Sequence, residues 1–184
     1  MLRRVSLAIA LAALFCTGAV AASGPQPRLQ DQTGRIFTLD TLHGEPVVLT
    51  FIATHCTDAC PLINAQFAQV SHDLSVDHVR VHLLSITLDP ENDPPARMRA
   101  VAKQFDANAQ NWQLATGSPS QVHRIMRAYN VLAQHDRKGY ADVHTTYIYL
   151  IDRHGKLAKT ILASTNFSAD LFHELSVDWN RLMR

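Results

Sequence analysis

Two kinds of apolar run divide the chain. The first, Val5 to Val20, is broken only by Ser6, Thr17 and Gly18, and Arg3 and Arg4 precede it. Small residues follow, with Val20 and Ala22 at the two positions a signal peptidase reads. A basic start, an apolar stretch and a small-residue cleavage site predict a secretory leader, residues 1–22, cut after Ala22. The alternative is a retained membrane anchor, although the run is slightly short of the roughly 20 residues a full span needs. Cys16 makes a poor lipoprotein cysteine, because Leu14 and Phe15 stand where small residues are expected. Residues 23–34, with Pro25 and Pro27, read as a tether, and residues 35–184 as one folded domain.

The second kind of run is short and bounded by turn residues. Arg35 to Leu39, after Gly34, predicts a short strand. Val47 to Ile52 is almost continuously apolar, and Val79 to Leu88 ends at Asp89-Pro90. Such runs are strands buried on both faces, as in parallel sheets. Between them, Leu62 to Leu74 places Ile63, Phe67, Val70 and Leu74 on one helical face. Pro94-Pro95 open a helix through Phe105, and Ser118-Pro119 open another to about Tyr129. Trp112 to Ala115 predicts a short strand. Tyr147–Ile151 and Leu157–Leu162 predict a hairpin about Arg153-His154-Gly155, and Ser168 to Met183 a closing helix. The order gives a layered α/β domain with a mixed central sheet flanked by helices.

Composition narrows the function. Removing 22 of the 184 residues leaves 162, enough for one domain with a real core. The whole chain has 17 basic and 16 acidic residues, and the leader carries two of the basic ones. A chain this close to neutral points away from nucleic acid and from anionic membrane surfaces as partners. Any membrane contact would come through the N-terminal run. Ten histidines are many for this length and bring metal binding into consideration.

The chemistry concentrates at Phe51-Ile52-Ala53-Thr54-His55-Cys56-Thr57-Asp58-Ala59-Cys60-Pro61, after one buried strand and before a helix. Ligands in open α/β sheets bind at the carboxyl ends of strands. Pro61 suits the first helical residue, which puts Cys60 near the N-cap, where the helix dipole favours a thiolate. In an oxidising compartment, two cysteines four apart are a redox pair, a metal site or an inert local disulfide. Two thiolates are soft donors that suit Cu(I), without excluding zinc. His144, just before a core strand, is the first candidate for a third ligand. His55 is its rival, and His43 and His135 are further candidates. Asp89 and Asp93 either orient loops near the site or cap the helix at Pro94, and Asp58 is a candidate partner contact.

These residues resemble the Sco/SenC family of copper metallochaperones. Phe51 to Pro61 is similar to that family's Cys-x-x-x-Cys-Pro motif. Ser85 to Pro94 resembles its acidic Asp-Pro loop, and Trp112 to Ser118 its Trp and Thr-Gly-Ser segment. Asp142-Val143-His144 with Tyr149-Leu150-Ile151-Asp152 resembles the segment that carries its histidine ligand. The resemblance implies a thioredoxin-like fold and copper, as Cu(I) or Cu(II), on Cys56, Cys60 and His144. It implies a role in building the binuclear CuA site of cytochrome c oxidase, in the periplasm, by copper delivery or by reducing the target's cysteines. The partner would be a copper-accepting oxidase subunit or another copper carrier. Thr57 stands where a proline is common, and the stretch Val131 to Asp142 is short. Two other classes remain at this point: a thiol–disulfide oxidoreductase cycling Cys56 and Cys60, and a thiol peroxidase, which His55-Cys56 fits poorly.

Overall fold

A computed structural model describes residues 26–57, 59–76, 79–163 and 167–183. Residues 1–22, read as a leader from the sequence, and Asp58 lie outside them. Among the described residues no helix is long and apolar enough to cross a membrane.

The two apolar runs form the centre of the sheet. Strands β1 (Leu29–Asp31), β2 (Ile36–Phe37), β3 (Val47–Ile52), β4 (His82–Thr87), β5 (Trp112–Thr116), β8 (Tyr147–Ile151) and β9 (Leu157–Leu162) lie in the order β2-β1-β5-β4-β3-β8-β9. β3, β4 and β5 are parallel, and the outer strands are antiparallel to their neighbours. Strands β6 (Ala133–His135) and β7 (Ala141–His144) form a separate two-stranded hairpin. Helices α1 (Ala59–Val76), α2 (Pro95–Gln104), α3 (Pro119–Ala128) and α4 (Phe167–Leu182) complete the chain. This is the mixed sheet flanked by helices that the order of elements predicts, in the thioredoxin-like arrangement that the family resemblance implies.

Alternation along β3 explains why all of its residues but Thr50 are apolar. Val48 and Ile52 face α1 and α4, in a core that includes Phe67, Trp112, Leu171 and Leu175. Val47, Leu49 and Phe51 face α3, in a second core with Leu84, Ile86, Ile125 and Tyr149. A strand covered on both faces has no side left for polar residues. Two buried hydroxyls of this centre have partners on neighbouring strands. Trp112 Nε1 donates to Ser85 Oγ at 3.0 Å, and Thr50 Oγ1 donates to the Tyr147 carbonyl at 3.3 Å.

The structure departs from the sequence reading at several points, among them the β6–β7 hairpin, which the sequence reading lacks. Within the stretch read as a tether, Leu29–Asp31 is a strand, and Asp31 is buried on Gln113 and on the turn that follows it. Arg35 to Leu39 yields only the two-residue β2, followed by a 3-10 turn at Leu39–Leu42. Helix α1 begins at Ala59, so Pro61 is its third residue rather than its first, and Cys60 lies in its first turn.

Candidate metal centre

The cysteine site stands on the carboxyl end of β3. Beyond Ile52 the backbone turns sharply, and the Cys56 amide returns to the Ala53 carbonyl at 3.2 Å. Cys60 follows in the first turn of α1, where backbone N–H groups have no partner within the helix. One of these, on Cys60, donates to Cys56 Sγ at 3.5 Å. The Cys60 thiol folds back to accept the Ala53 amide at 3.5 Å. Cys60 is buried and Cys56 half-buried, and no disulfide joins them.

The third residue arrives through the antiparallel pairing of β8 with β3. Thr50 faces Ile148 and Val47 faces Ile151. The chain entering β8 therefore passes the carboxyl end of β3, and His144 is three residues upstream of Tyr147. Its Nδ1 lies 3.1 Å from the Thr145 carbonyl, which can only accept, so Nδ1 carries the proton. Nε2 then presents its lone pair to the thiols, 3.5 Å from Cys60 Sγ. One donor atom from each of Cys56, Cys60 and His144 lies within 4.8 Å of the other two. Two soft sulfurs and one imidazole at that separation suit copper or zinc chemically, and no fourth donor completes a closed zinc site among the described residues.

The electrostatics overturn one expectation. The Cys60 thiol is pushed up, not down: its hydrogen bond with Cys56 and its burial both favour the protonated form, and the Ala53 amide offsets them only in part. The charges of Cys56 and Asp93 push it the same way. Burial pulls the His144 imidazole down, but hydrogen bonds to Cys56 and to the Thr145 carbonyl, with the Cys56 charge, hold it above its ordinary value.

A sequence model of the family described as SCO1/SenC matches residues 18–175. The chain belongs to the SCO1/SenC family. It is 27% identical over 132 residues to the SCO1 protein homolog of Bacillus subtilis, covering 71% of this chain and 68% of that protein. The fold matches a structure of Bradyrhizobium japonicum ScoI with copper bound, at a TM-score of 0.69 and 30% identity. That match covers 82% of this chain and 98% of the other. It also matches, at a TM-score of 0.68 and 25% identity, a structure of BsSco described as a member of the Sco family of cytochrome c oxidase assembly proteins. There the coverage is 81% of this chain and 88% of the other. The chain spans about two thirds of the length of the first bacterial relatives it matches and about half that of the mitochondrial ones.

The remaining candidates fall elsewhere in this Sco-family domain. His55 turns away from the thiols: its ring stacks on Tyr140, centroids 3.9 Å apart and planes 22° apart, with Nδ1 3.9 Å from Asp93 Oδ1. His43 lies at the other end of β3, beside Asp40 and the Gly155 turn. His135 stands 3.7 Å from Asp89. The aspartates do not cap α2, whose N-cap is Pro94 with no side-chain cap bond; their bonds go to Thr54, Thr87, Asn92 and Ala141. Sequence reasoning missed Tyr140, although it is the one Phe, Trp or Tyr between Tyr129 and Tyr147. An open cleft of about 380 Å³, lined by Leu132, Gln134, His144, Thr145, Tyr147 and Leu162, leads from the surface to His144.

Proposed function

We propose that this chain is an exported copper metallochaperone, held by Cys56, Cys60 and His144 to one copper ion that it passes on during assembly of a CuA site in cytochrome c oxidase. The observation that carries the reading is the convergence of the three donors within 4.8 Å in a member of the SCO1/SenC family. Copper-bound and oxidase-assembly descriptions of similar structures support it. The leader-like N-terminus supports export to the periplasm, either released or anchored.

The chemistry follows from the donor set. Copper entering the site replaces the proton that Cys60 otherwise holds, and the two thiolates then suffice for Cu(I). His144 adds the imidazole that Cu(II) prefers. Cys60 is buried while Cys56 and His144 are half-buried, the latter facing the cleft. An acceptor with its own thiolate pair therefore meets Cys56 and His144 first and displaces the ligands one at a time.

The same disposition favours a second reading, reduction of the target's cysteines. The Cys56 thiolate attacks a target disulfide, forming a mixed disulfide and releasing one target thiolate. Cys60, behind it, attacks Cys56 Sγ and releases the second. Two electrons pass to the target, the Cys60 proton goes to a released target thiolate as Cys60 attacks, the other target thiolate takes its proton from solvent, and Cys56–Cys60 closes. The discriminating experiment titrates the reduced domain with Cu(I) and assays disulfide exchange in parallel. One copper per chain, lost in the Cys56→Ser, Cys60→Ser variant, is the expected result. A stoichiometry near zero, or binding indifferent to that variant, sinks the metallochaperone reading.

A further inference from the structure

Between β4 and α2 the chain runs Asp89-Pro90-Glu91-Asn92-Asp93-Pro94, and both aspartates are wholly buried. Buried carboxylates need donors, and both have them. Asp93 Oδ2 accepts the Thr54 amide at 3.0 Å and the Thr87 hydroxyl at 2.7 Å, and its Oδ1 accepts the Thr54 hydroxyl. Asp89 Oδ2 accepts the Ala141 amide at 3.0 Å, and its Oδ1 accepts Asn92 Nδ2 at 2.9 Å. Asn92 Nδ2 also donates to the Gly139 carbonyl at 2.8 Å. Each of these oxygens faces a donor, so both sites require a group that only accepts.

The partners belong to the two halves of the metal centre. Thr54 lies in the turn that carries Cys56. Ala141 opens β7, which ends in His144. The β6–β7 hairpin stands apart from the seven-stranded sheet, and an isolated two-stranded hairpin is marginal in water. Its seat relative to the thiols needs bonds from outside it. The Asp89–Ala141 and Asn92–Gly139 bonds are of that kind, and they start from the same loop that grips the cysteine turn.

We propose that the Asp89–Asp93 loop is a two-ended brace that sets the distance between the imidazole and the thiols. Asp89, with Asn92, is the positioning residue for His144, and Asp93 is the positioning residue for the Cys56 turn. The proposal rests on the copper reading for the identity of what is bound. Its consequence is selective. Loosening the Asp89 end displaces the imidazole and leaves the two sulfurs together, so Cu(II) binding suffers and Cu(I) binding does not. Loosening the Asp93 end disturbs the sulfurs and weakens both.

The test compares Cu(I) and Cu(II) titrations of the reduced full domain in Asp89→Asn, His144→Ala and the double variant, with absorption and electron paramagnetic resonance spectra. Asp89→Asn sets an NH2 group against a donor on one side. It is expected to weaken Cu(II) binding by about 10–100-fold, the range for partners that orient a metal ligand. The thiolate-to-Cu(II) band should shrink and Cu(I) affinity should stay unchanged. On the His144→Ala background Asp89→Asn should cost nothing further, because the group it positions is gone. An unaltered Cu(II) affinity and band in Asp89→Asn, an equal loss of both ions, or an undiminished loss in the double variant overturns the Asp89 role. If His144→Ala itself leaves Cu(II) binding intact, the ligand set of the copper reading falls and this proposal with it. If His144→Ala weakens Cu(II) and Asp89→Asn does not, the proposal alone falls. Should Asp89→Asn fail to fold by circular dichroism, Asn92→Ala keeps the carboxylate, removes the bond to Gly139, and carries the same expectations in the same direction. For the other end, Thr54→Val removes one hydroxyl from Asp93 and should weaken both ions together; loss of Cu(II) alone, or of neither, overturns that half.

Discussion

At the scale of single residues, the centre turns on which histidine reaches the thiols. His55 lies in the turn after β3 and stacks on Tyr140, while Cys56 faces Cys60. His144 is distant in sequence and adjacent in space, with its tautomer fixed by the Thr145 carbonyl. His144→Ala is therefore expected to bleach the thiolate-to-Cu(II) band and to weaken Cu(II) binding strongly, with Cu(I) binding kept in part. His55→Ala should change both far less. Absorption and paramagnetic resonance titrations of the two variants check this, and greater damage from His55→Ala would reverse the assignment.

At the scale of elements, buried polar side chains tie strands to their neighbours. Asp31 closes the β1–β2 turn by accepting the Thr33 amide at 2.8 Å, the Thr33 hydroxyl at 2.6 Å and the Arg35 amide at 3.0 Å. It also accepts Gln113 Nε2 of β5 at 2.9 Å. Burial works against its charge, but these donors outweigh it and hold the carboxyl below its ordinary range. Asp31→Asn sets an NH2 group against donors and should cost about 1–3 kcal/mol of unfolding free energy, read by denaturant titration. Gln113 Oε1 faces His82 Nε2 at 2.8 Å, which fastens β5 to β4. Burial lowers the His82 imidazole below its ordinary value, and the Gln113 bond offsets this only in part. The unfolded chain then takes up a proton on His82 at a higher pH than the folded chain does. Stability is full above about pH 6.5 and is lost as the pH falls from there toward the depressed folded value. The melting temperature of His82→Gln should fall less than that of the unaltered chain between pH 7.5 and 5.5. Parallel losses would show that His82 is not the group responsible.

At the scale of the whole molecule, the two faces of the sheet have different tasks. One core packs α1 and α4 on β3 and places Cys60 among buried residues such as Ile52 and Ile63. The other packs α3 and the β1–β2 edge. The metal centre stands at the carboxyl end of β3, where α1, the Asp89–Asp93 loop and the β6–β7 hairpin meet. Because the proposed copper ligands and the proposed redox pair are the same two sulfurs, the two chemistries would exclude each other. Oxidation to a Cys56–Cys60 disulfide should abolish copper binding and reductant should restore it, as equilibrium dialysis of both forms would register. Equal binding by the oxidised protein would remove the cysteines from the ligand set. For the N-terminus, mass spectrometry of the exported protein should find Ser23 as its first residue; an intact Met1 in a membrane fraction would replace cleavage by anchoring.

Local patterning by itself determined what depends on local burial. The bounds of Tyr147–Ile151 and Leu157–Leu162 are read from sequence to the residue, because an apolar run and a turn at Arg153-His154-Gly155 delimit them, whereas the register shift between Leu150 and Ile151 is not. Val47–Ile52 is equally legible, since a strand covered on both faces is apolar but for a hydroxyl such as Thr50 that finds a partner. The cysteine spacing and its place after that strand mark the site, and the family resemblance points to His144. Other features are not local. Leu29–Asp31 is three residues long and partly polar, and it becomes a strand only by pairing with Ala115 and Thr116, more than 80 residues away. The β6–β7 hairpin, built on Ala133-Gln134-His135, carries almost no apolar signal and holds its place through Asp89 and Asn92. The direction of the Cys60 shift depends on where a second sulfur sits, which four residues of spacing do not specify. Tertiary structure decided these points because each depends on what a distant segment brings alongside, and periodicity encodes only which side of an element is buried.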